Sequence, residues 1–192
     1  MIAIIKYNAG NIRSVGNALQ RLGYEHVITD DRAEIMNAEK VIFPGVGEAG
    51  SAMRYLRQKD IDRLLMSLKQ PVLGICLGLQ LMCRRSEESN TGCLGIFDAD
   101  VKLFPKTGII PHMGWNTLNQ IRGDLLSGIS AEDDLYFVHN YYADISSCTT
   151  AVCNYLLPFS AAMQKDNFYA TQFHPEKSSA TGEQILKNFL EL

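Results

Sequence analysis

The chain has 192 residues, 46% of them apolar and 20% charged, with a formal net charge of −3. That length fits one ordinary domain of roughly 100 to 200 residues, and a weakly negative chain has no basic footprint for nucleic acid. The first apolar run reaches only Ile5 before Lys6, too short for a secretion signal, and no run is long enough for a membrane span, so a single cytoplasmic domain over residues 1–192 is expected.

The opening run Ile2 to Ile5 is rich in β-branched residues and closes on "YNAGN", which predicts a buried strand and a turn. A helix follows, with Asn11 placed to cap it, Ile12, Val15, Leu19 and Leu22 on one face, and Gly23 as its stop. The pattern repeats: a strand in "EHVIT", a short helix in "RAEIMNA", and a strand in "KVIFP" that runs into "GVGEAG". Helix is predicted from about Ser51 to Lys69, then a strand in "PVLGI" and a helix through "LGLQLMCRRSEE". Strands that are apolar throughout and alternate with helices belong to a mostly parallel sheet covered on both faces.

The second half differs. "TLNQI", "DLYFVHNYYA", "TAVCNY", "FSAAMQK" and "NFYATQFH" read as strands with little helix between them, and a last helix runs from about Ser179 to Leu190. The expected fold is α/β and flavodoxin-like, three layers deep, with a mostly parallel sheet and additional antiparallel strands in the C-terminal half. Ligands of open α/β sheets gather beyond the carboxyl ends of the strands. There "YNAGN", "PGVG", "GICLG", "VHNYY" and "QFHPEKS" should meet in one crevice.

"GICLG" has the strand, tight turn and helix of a nucleophile elbow, with Cys76 raised between small residues. A helix N-terminus favours the thiolate, the reactive form of cysteine. Met alone, such a cysteine is more often a small buried side chain. What turns the reading is "QFHPEKS": His174 supplies the base that a thiol nucleophile needs, and Glu176 the group that orients the base. Their spacing across Pro175 sets both side chains on one side of an extended segment. The glycines of "PGVG" free the backbone there, so that the N–H groups of Val46 and Gly47, with that of Leu77, can form an oxyanion hole.

The cysteines Cys76, Cys83, Cys93, Cys148 and Cys153 have no paired spacing and read as reduced thiols. His112 and His139 lack spaced carboxylate or thiol companions, are weak candidates for metal ligands and read as structural or pocket-wall residues.

"PGVG", "GICLGLQ", "RRSEES", "PHMGWN", "YFVHNYY" and "QFHPEKS" occur in an order that resembles the class I (triad) glutamine amidotransferases over essentially the whole chain. Within that family the glutaminase subunits of imidazole glycerol phosphate synthases are the most similar in pattern. The resemblance implies that Cys76 attacks the side-chain amide of glutamine, His174 shuttles the proton and Glu176 orients it, without metal or organic cofactor. It implies that Gln80 and Glu88 hold the amino acid head of glutamine, with Gly47 and the backbone at Asn140 and Tyr141 holding the rest. Gln80, one helical turn beyond Cys76, can face the same pocket.

The resemblance further implies a heterodimer with the (β/α)₈ cyclase subunit of imidazole glycerol phosphate synthase. Asn11, Met113, Trp115, Tyr136 and Lys177 would line or border that interface. Two places depart from the family pattern: "KYNAGN" stands where relatives often carry D-Y-G-x-G-N, and Asn140 stands where serine or threonine is common. The alternatives are an amidotransferase subunit of another pathway, which should lack "PHMGWN", and a non-catalytic regulatory subunit, which should lack a triad member.

Overall fold

The opening apolar run forms β1 (Ile2–Ile5), buried at every position, and leads to α1 (Ile12–Arg21), which ends where Gly23 adopts φ 82° and bonds back to the Gln20 carbonyl. The computed structural model describes residues 1–8 and 10–192. The turn expected in "YNAGN" includes Ala9, which lies outside the described residues. Next come β2 (His26–Thr29), α2 (Arg32–Asn37), capped by the Asp31 carboxylate on the Glu34 N–H, and β3 (Lys40–Gly45).

The single helix expected from about residue 51 to 69 is two. α3 (Ala49–Gln58) begins on a Glu48 cap, and α4 (Ile61–Ser67) starts afresh after Asp60, whose left-handed φ of 53° breaks the helical path. β4 (Val72–Cys76) then passes at once into α5 (Leu77–Met82). That helix does not continue through "RRSEE" as its composition suggests. Arg85–Ser86 forms β5, which pairs with β6 (Thr91–Gly92) and β7 (Asp100–Leu103), and Arg84 and Arg85 both reach the Asp100 carboxylate at 3.1 and 3.0 Å. Cross-strand partners decide where helical propensity alone would not.

The rest of the chain supplies β8 (His112–Asn116), β9 (Leu135–His139), β10 (Tyr141–Ala143), β11 (Thr149–Tyr155), β12 (Leu157–Lys165), β13 (Phe168–Thr171) and α6 (Ser179–Glu191). "TLNQI" is not a strand. It meets the sheet only at the bridge from Asn119 to Val152, and the strand lies just before it in "HMGWN", whose Gly114 and Asn116 are residue types depleted in strands. "DLYFVHNYYA" is broken at Asn140 into β9 and β10, which belong to different sheets.

The large sheet runs β2-β1-β3-β4-β13-β12-β10-β7-β5-β6, with β11 on β12, and β8 and β9 form a separate antiparallel pair. From β2 to β13 every neighbour is parallel, and from β13 to β7 every neighbour is antiparallel, the division expected from sequence. Alternation along β1 sends Ala3 and Ile5 to one apolar layer with α2 to α5, and Ile2 and Ile4 to the other with α1 and α6. Among the described residues no helix is long and apolar enough to cross a membrane.

The register sets the site. Gly45 of β3 stands opposite Cys76, and Thr171 of β13 stands opposite Ile75, so three strand ends emerge side by side.

Candidate active site

Cys76 closes β4 with φ 54° and ψ −104°, a backbone conformation that L-residues seldom adopt. The glycines around it explain why it is held there. A Cβ on Gly78 would stand 1.9 Å from the Phe43 carbonyl oxygen, and one on Gly74 would stand 3.0 Å from the Gly78 carbonyl carbon. The first turn of α5 therefore sits directly on β3 and β4, and the turn between must be sharp. Cys76, 6% exposed, lines a cavity of about 290 Å³.

His174 places Nδ1 2.8 Å from Glu176 Oε1, with both side chains fully buried. A carboxylate only accepts, so Nδ1 carries a hydrogen, while Nε2 is buried and without a hydrogen-bond partner. Burial opposes a charge on this ring, but the Cys76 sulfur and the Glu176 carboxylate outweigh it and raise its pKa to about 10. The pair does not meet along an extended segment as its spacing suggested: residues 175–177 form a 3₁₀ turn that begins at Pro175 and folds Glu176 back onto the ring.

A further group joins them. Asn11 occupies the N-cap position of α1 at φ 71°, yet its side chain makes no capping bond. Instead its Nδ2 donates to Glu176 Oε1 and lies 3.2 Å from His174 Nδ1. Sequence had placed Asn11 as a cap and at a partner interface; the half-buried side chain is in contact with the histidine and carboxylate themselves.

The end of β3 reaches the cavity from the other side. Pro44 lacks an N–H, but β1 pairs with β3 only as far as Ile42, so no ladder bond is lost. Val46, Gly47 and Leu77 all wall the cavity beside Cys76. Gly47 has φ 122° with nothing within 4 Å of where a Cβ would project, so only backbone strain demands glycine there. The first loop packs beneath: a Cβ on Gly45 would meet the Tyr7 hydroxyl at 1.9 Å. That hydroxyl is buried without a partner, and burial followed by the nearby Cys76 sulfur raises its pKa.

The far end of the cavity is lined by Gln80, Glu88, Asn140 and Tyr141. Gln80 Nε2 donates to the Tyr141 carbonyl at 2.9 Å and to Gln172 Oε1 at 3.0 Å, which leaves its own Oε1 for a ligand. Glu88 lies in a one-turn 3₁₀ segment and not at a helix end. Its Oε2 accepts the Ala49 N–H at 2.7 Å, and burial raises its pKa against that bond, with Glu48 adding to the rise. The Asn140 carbonyl is taken by the Phe104 N–H at 3.1 Å, and the Tyr141 carbonyl by Gln80 and by His139 Nδ1 at 2.7 Å. Both lone pairs of the Tyr141 carbonyl are thus engaged, whereas that of Asn140 keeps one for a ligand.

Residues 3–192 match the family model described as glutamine amidotransferase class-I. The HisH subunit of imidazole glycerol phosphate synthase from Bacteroides fragilis strain YCH46 is 59% identical over 100% of this chain and 99% of its own, and that of Escherichia coli K12 is 46% identical over the same shares. The chain belongs to the class-I glutamine amidotransferases. Solved structures agree in fold: a glutamine amidotransferase has TM-score 0.75 at 18% identity, covering 100% of this chain and 98% of that one. The glutaminase domain of Trypanosoma brucei CTPS, with bound acivicin, has TM-score 0.69 at 16% identity over 99% and 93%.

In this amidotransferase the β8–β9 pair presents two unlike faces. Outward stand Met113, 62% exposed, and Trp115, 53% exposed, with the Trp115 ring edge-on to Tyr136 at 5.7 Å and Lys177 Nζ 5.8 Å from the Tyr136 ring centre. Four of the five residues expected at a partner interface thus form one patch, and the fifth, Asn11, contacts His174 and Glu176. Inward stand His112 and His139, with His112 Nδ1 2.9 Å from His139 Nε2. Among the described residues no three His, Cys, Asp or Glu side chains could hold a metal ion together, and all five cysteines are free.

Sequence reasoning missed Gln172 and Tyr7. Gln172 precedes His174 by two in the quoted "QFHPEKS", and strand alternation would have put the two side by side. Nothing local singled out Tyr7.

Proposed function

We propose that this chain is the glutaminase subunit of an imidazole glycerol phosphate synthase, hydrolysing glutamine with Cys76 as nucleophile, His174 as proton carrier and Glu176 as its orienter. The observation that carries the reading is the buried, unpartnered Nε2 of His174, backed at Nδ1 by Glu176, together with a strained cysteine that lines an amino acid-sized cavity.

The Cys76 sulfur attacks Cδ of glutamine, forming an S–C bond while the carbonyl pair moves to oxygen. The N–H groups of Leu77 and of Val46 or Gly47 receive that oxyanion, each such donor being worth about 3 to 4 kcal/mol of barrier. As the oxyanion collapses, the C–N bond breaks and the protonated His174 gives its proton to the leaving nitrogen, releasing ammonia. Water then attacks the thioester while His174 takes its proton. The S–C bond breaks, glutamate leaves, and the sum is glutamine plus water to glutamate plus ammonia. Glu88 faces the substrate ammonium and Gln80 Oε1 accepts from it, while Asn140 and Tyr141 hold the other end.

Ammonia that takes up a proton has no lone pair to attack with, so it must pass directly to its acceptor. The reading therefore includes a (β/α)₈ cyclase partner that docks on the patch of Met113, Trp115, Tyr136 and Lys177, an aromatic cluster of the kind that anchors interfaces. It receives the ammonia through a protected path and makes imidazole glycerol phosphate and aminoimidazole carboxamide ribotide. Partner and nucleotide binding select the backbone arrangement at Val46 and Gly47 that completes the oxyanion hole.

Glutamate release is measured for the chain alone and for the complex with the cyclase and its nucleotide ligand. The expected result is a slow rate alone, a much faster one in the complex, and none with Cys76→Ala. Full activity of Cys76→Ala in the complex would overturn the assignment. An isolated rate equal to the coupled one would overturn the partner switch.

A further inference from the structure

Gln172 follows β13 directly, and the mechanism above makes no use of it. Parallel register pairs Thr171 with Ile75, so the next residue stands level with the nucleophile. Its side chain is fully buried, and its Nε2 lies 3.6 Å from the Cys76 sulfur, within hydrogen-bond reach of that large atom.

A side-chain amide can be turned end for end, but its surroundings forbid that here. The Tyr141 carbonyl can only accept, so the end of Gln80 that meets it at 2.9 Å is the NH₂. The same NH₂ lies 3.0 Å from Gln172, which must offer its oxygen there. Gln172 is left with its own NH₂ toward Cys76. The direction of every bond in this chain follows from a backbone carbonyl that cannot be reversed.

We propose that Gln172 is a further catalytic residue of the glutaminase reaction, its amide N–H donating to the Cys76 sulfur and favouring the thiolate. The inference rests on Cys76 being the nucleophile. Its chemical value lies in the two halves of the reaction. When the thiolate attacks, His174 is protonated and stabilises it. When the thioester breaks and the S–C pair returns to sulfur, His174 carries the proton it took from water. A neutral amide donor does not titrate, and it serves the sulfur as attacking group and as leaving group alike.

The test is alkylation of Cys76 by iodoacetamide, which forms an S–C bond and releases iodide, followed across pH by mass analysis of the Cys76 peptide in the full chain. Burial pushes the thiols of Cys93 and Cys153 up to about 11 and about 12, so they do not compete near neutrality. Gln172→Leu is expected to move the midpoint of the profile up by about one pH unit or more and to slow kcat of the complex about tenfold or more. Gln172→Glu, which puts a carboxylate at the sulfur, moves it further. Gln80→Leu leaves Gln172 in place but free to turn, and moves the midpoint the same way by less; it carries the test should neither Gln172 variant fold by circular dichroism.

A residue that only fills space would lower the folded fraction without moving the midpoint. Midpoints of the folded variants that coincide with the parent's, in a protein whose activity still requires Cys76, overturn this inference alone. Activity that survives Cys76→Ala overturns the nucleophile reading instead.

Discussion

Two pairs of buried groups built around histidine lie close together in this protein and behave in opposite ways. His174 meets Glu176 and Cys76, and its pKa rises to about 10 against the effect of burial. His112 and His139 meet each other, and burial lowers them to about 4 and about 3. Burial by itself always disfavours the imidazolium, so the difference lies in the partners. One ring has the Cys76 sulfur and the Glu176 carboxylate for partners; the other two have Asn116, a backbone carbonyl and the stacked rings of Phe137 and Tyr155. The ring proposed to carry protons has a carboxylate to work against, and the rings that pack behind the cavity have none.

The largest expected effect comes from erasing that difference. In Glu176→Gln the amide has nearly the shape of the carboxylate but no charge, and it can present an N–H to Nδ1 and so favour the wrong tautomer. Activity of the complex should fall about a thousandfold or more, as in other triads deprived of their carboxylate charge. The His174 pKa, followed by NMR, should fall with it. A variant that loses activity while His174 keeps its raised pKa would mean that Cys76 alone sets the charge of the ring.

The next effect is on stability. His174 has a folded-state pKa above the ordinary value near 6.5, so its contribution is full below that pH and fades as pH rises through about 10. For His112 and His139 the sign is reversed. Their folded-state values lie below 6.5, the unfolded chain takes up protons first, and stability is lost as pH falls from about 6.5 toward about 4 and about 3. Each histidine adds a slope of about 1.4 kcal/mol per pH unit in its window. Urea unfolding from pH 7 to 4.5 should therefore show a shallower acid loss in the double variant His112→Phe and His139→Phe than in the parent. Equal slopes would show that the inward pair takes up its protons in the native state.

How much of this was open to a reading of the sequence depends on how local each feature is. Cys76 was legible because the glycines that let α5 sit on β3 lie within two residues of it. His174 and Glu176 were legible by their spacing, although a turn and not a strand brings them together. The two-sided packing of the sheet followed from strands that are apolar throughout. What escaped depends on partners far away in the chain. Gln172 touches Cys76 only because β13 pairs with β4 in one register, and Asn11 reaches Glu176 across 165 positions. The strand in "RRSEE" exists because Arg85 and Ser86 pair with β6 and with β7 further along the chain, and the break at Asp60 is a backbone choice that no periodicity records.

The smallest expected effect tests the wiring of the inward pair. The Tyr141 carbonyl can only accept, so His139 carries its hydrogen on Nδ1 and accepts at Nε2; His112 must then donate from Nδ1 and accept at Nε2, where Asn116 Nδ2 lies 3.2 Å away. Asn116→Leu removes that last donor and its bond to the Asn154 carbonyl, and should cost about 1 kcal/mol. Nitrogen-15 NMR should still find both rings protonated on Nδ1, because their direction is set from the Tyr141 end. A ring that moved its hydrogen to Nε2 would place the origin of the order on β8, and the cavity wall at His139 would then take its polarity from the strand that carries the exposed Met113 and Trp115.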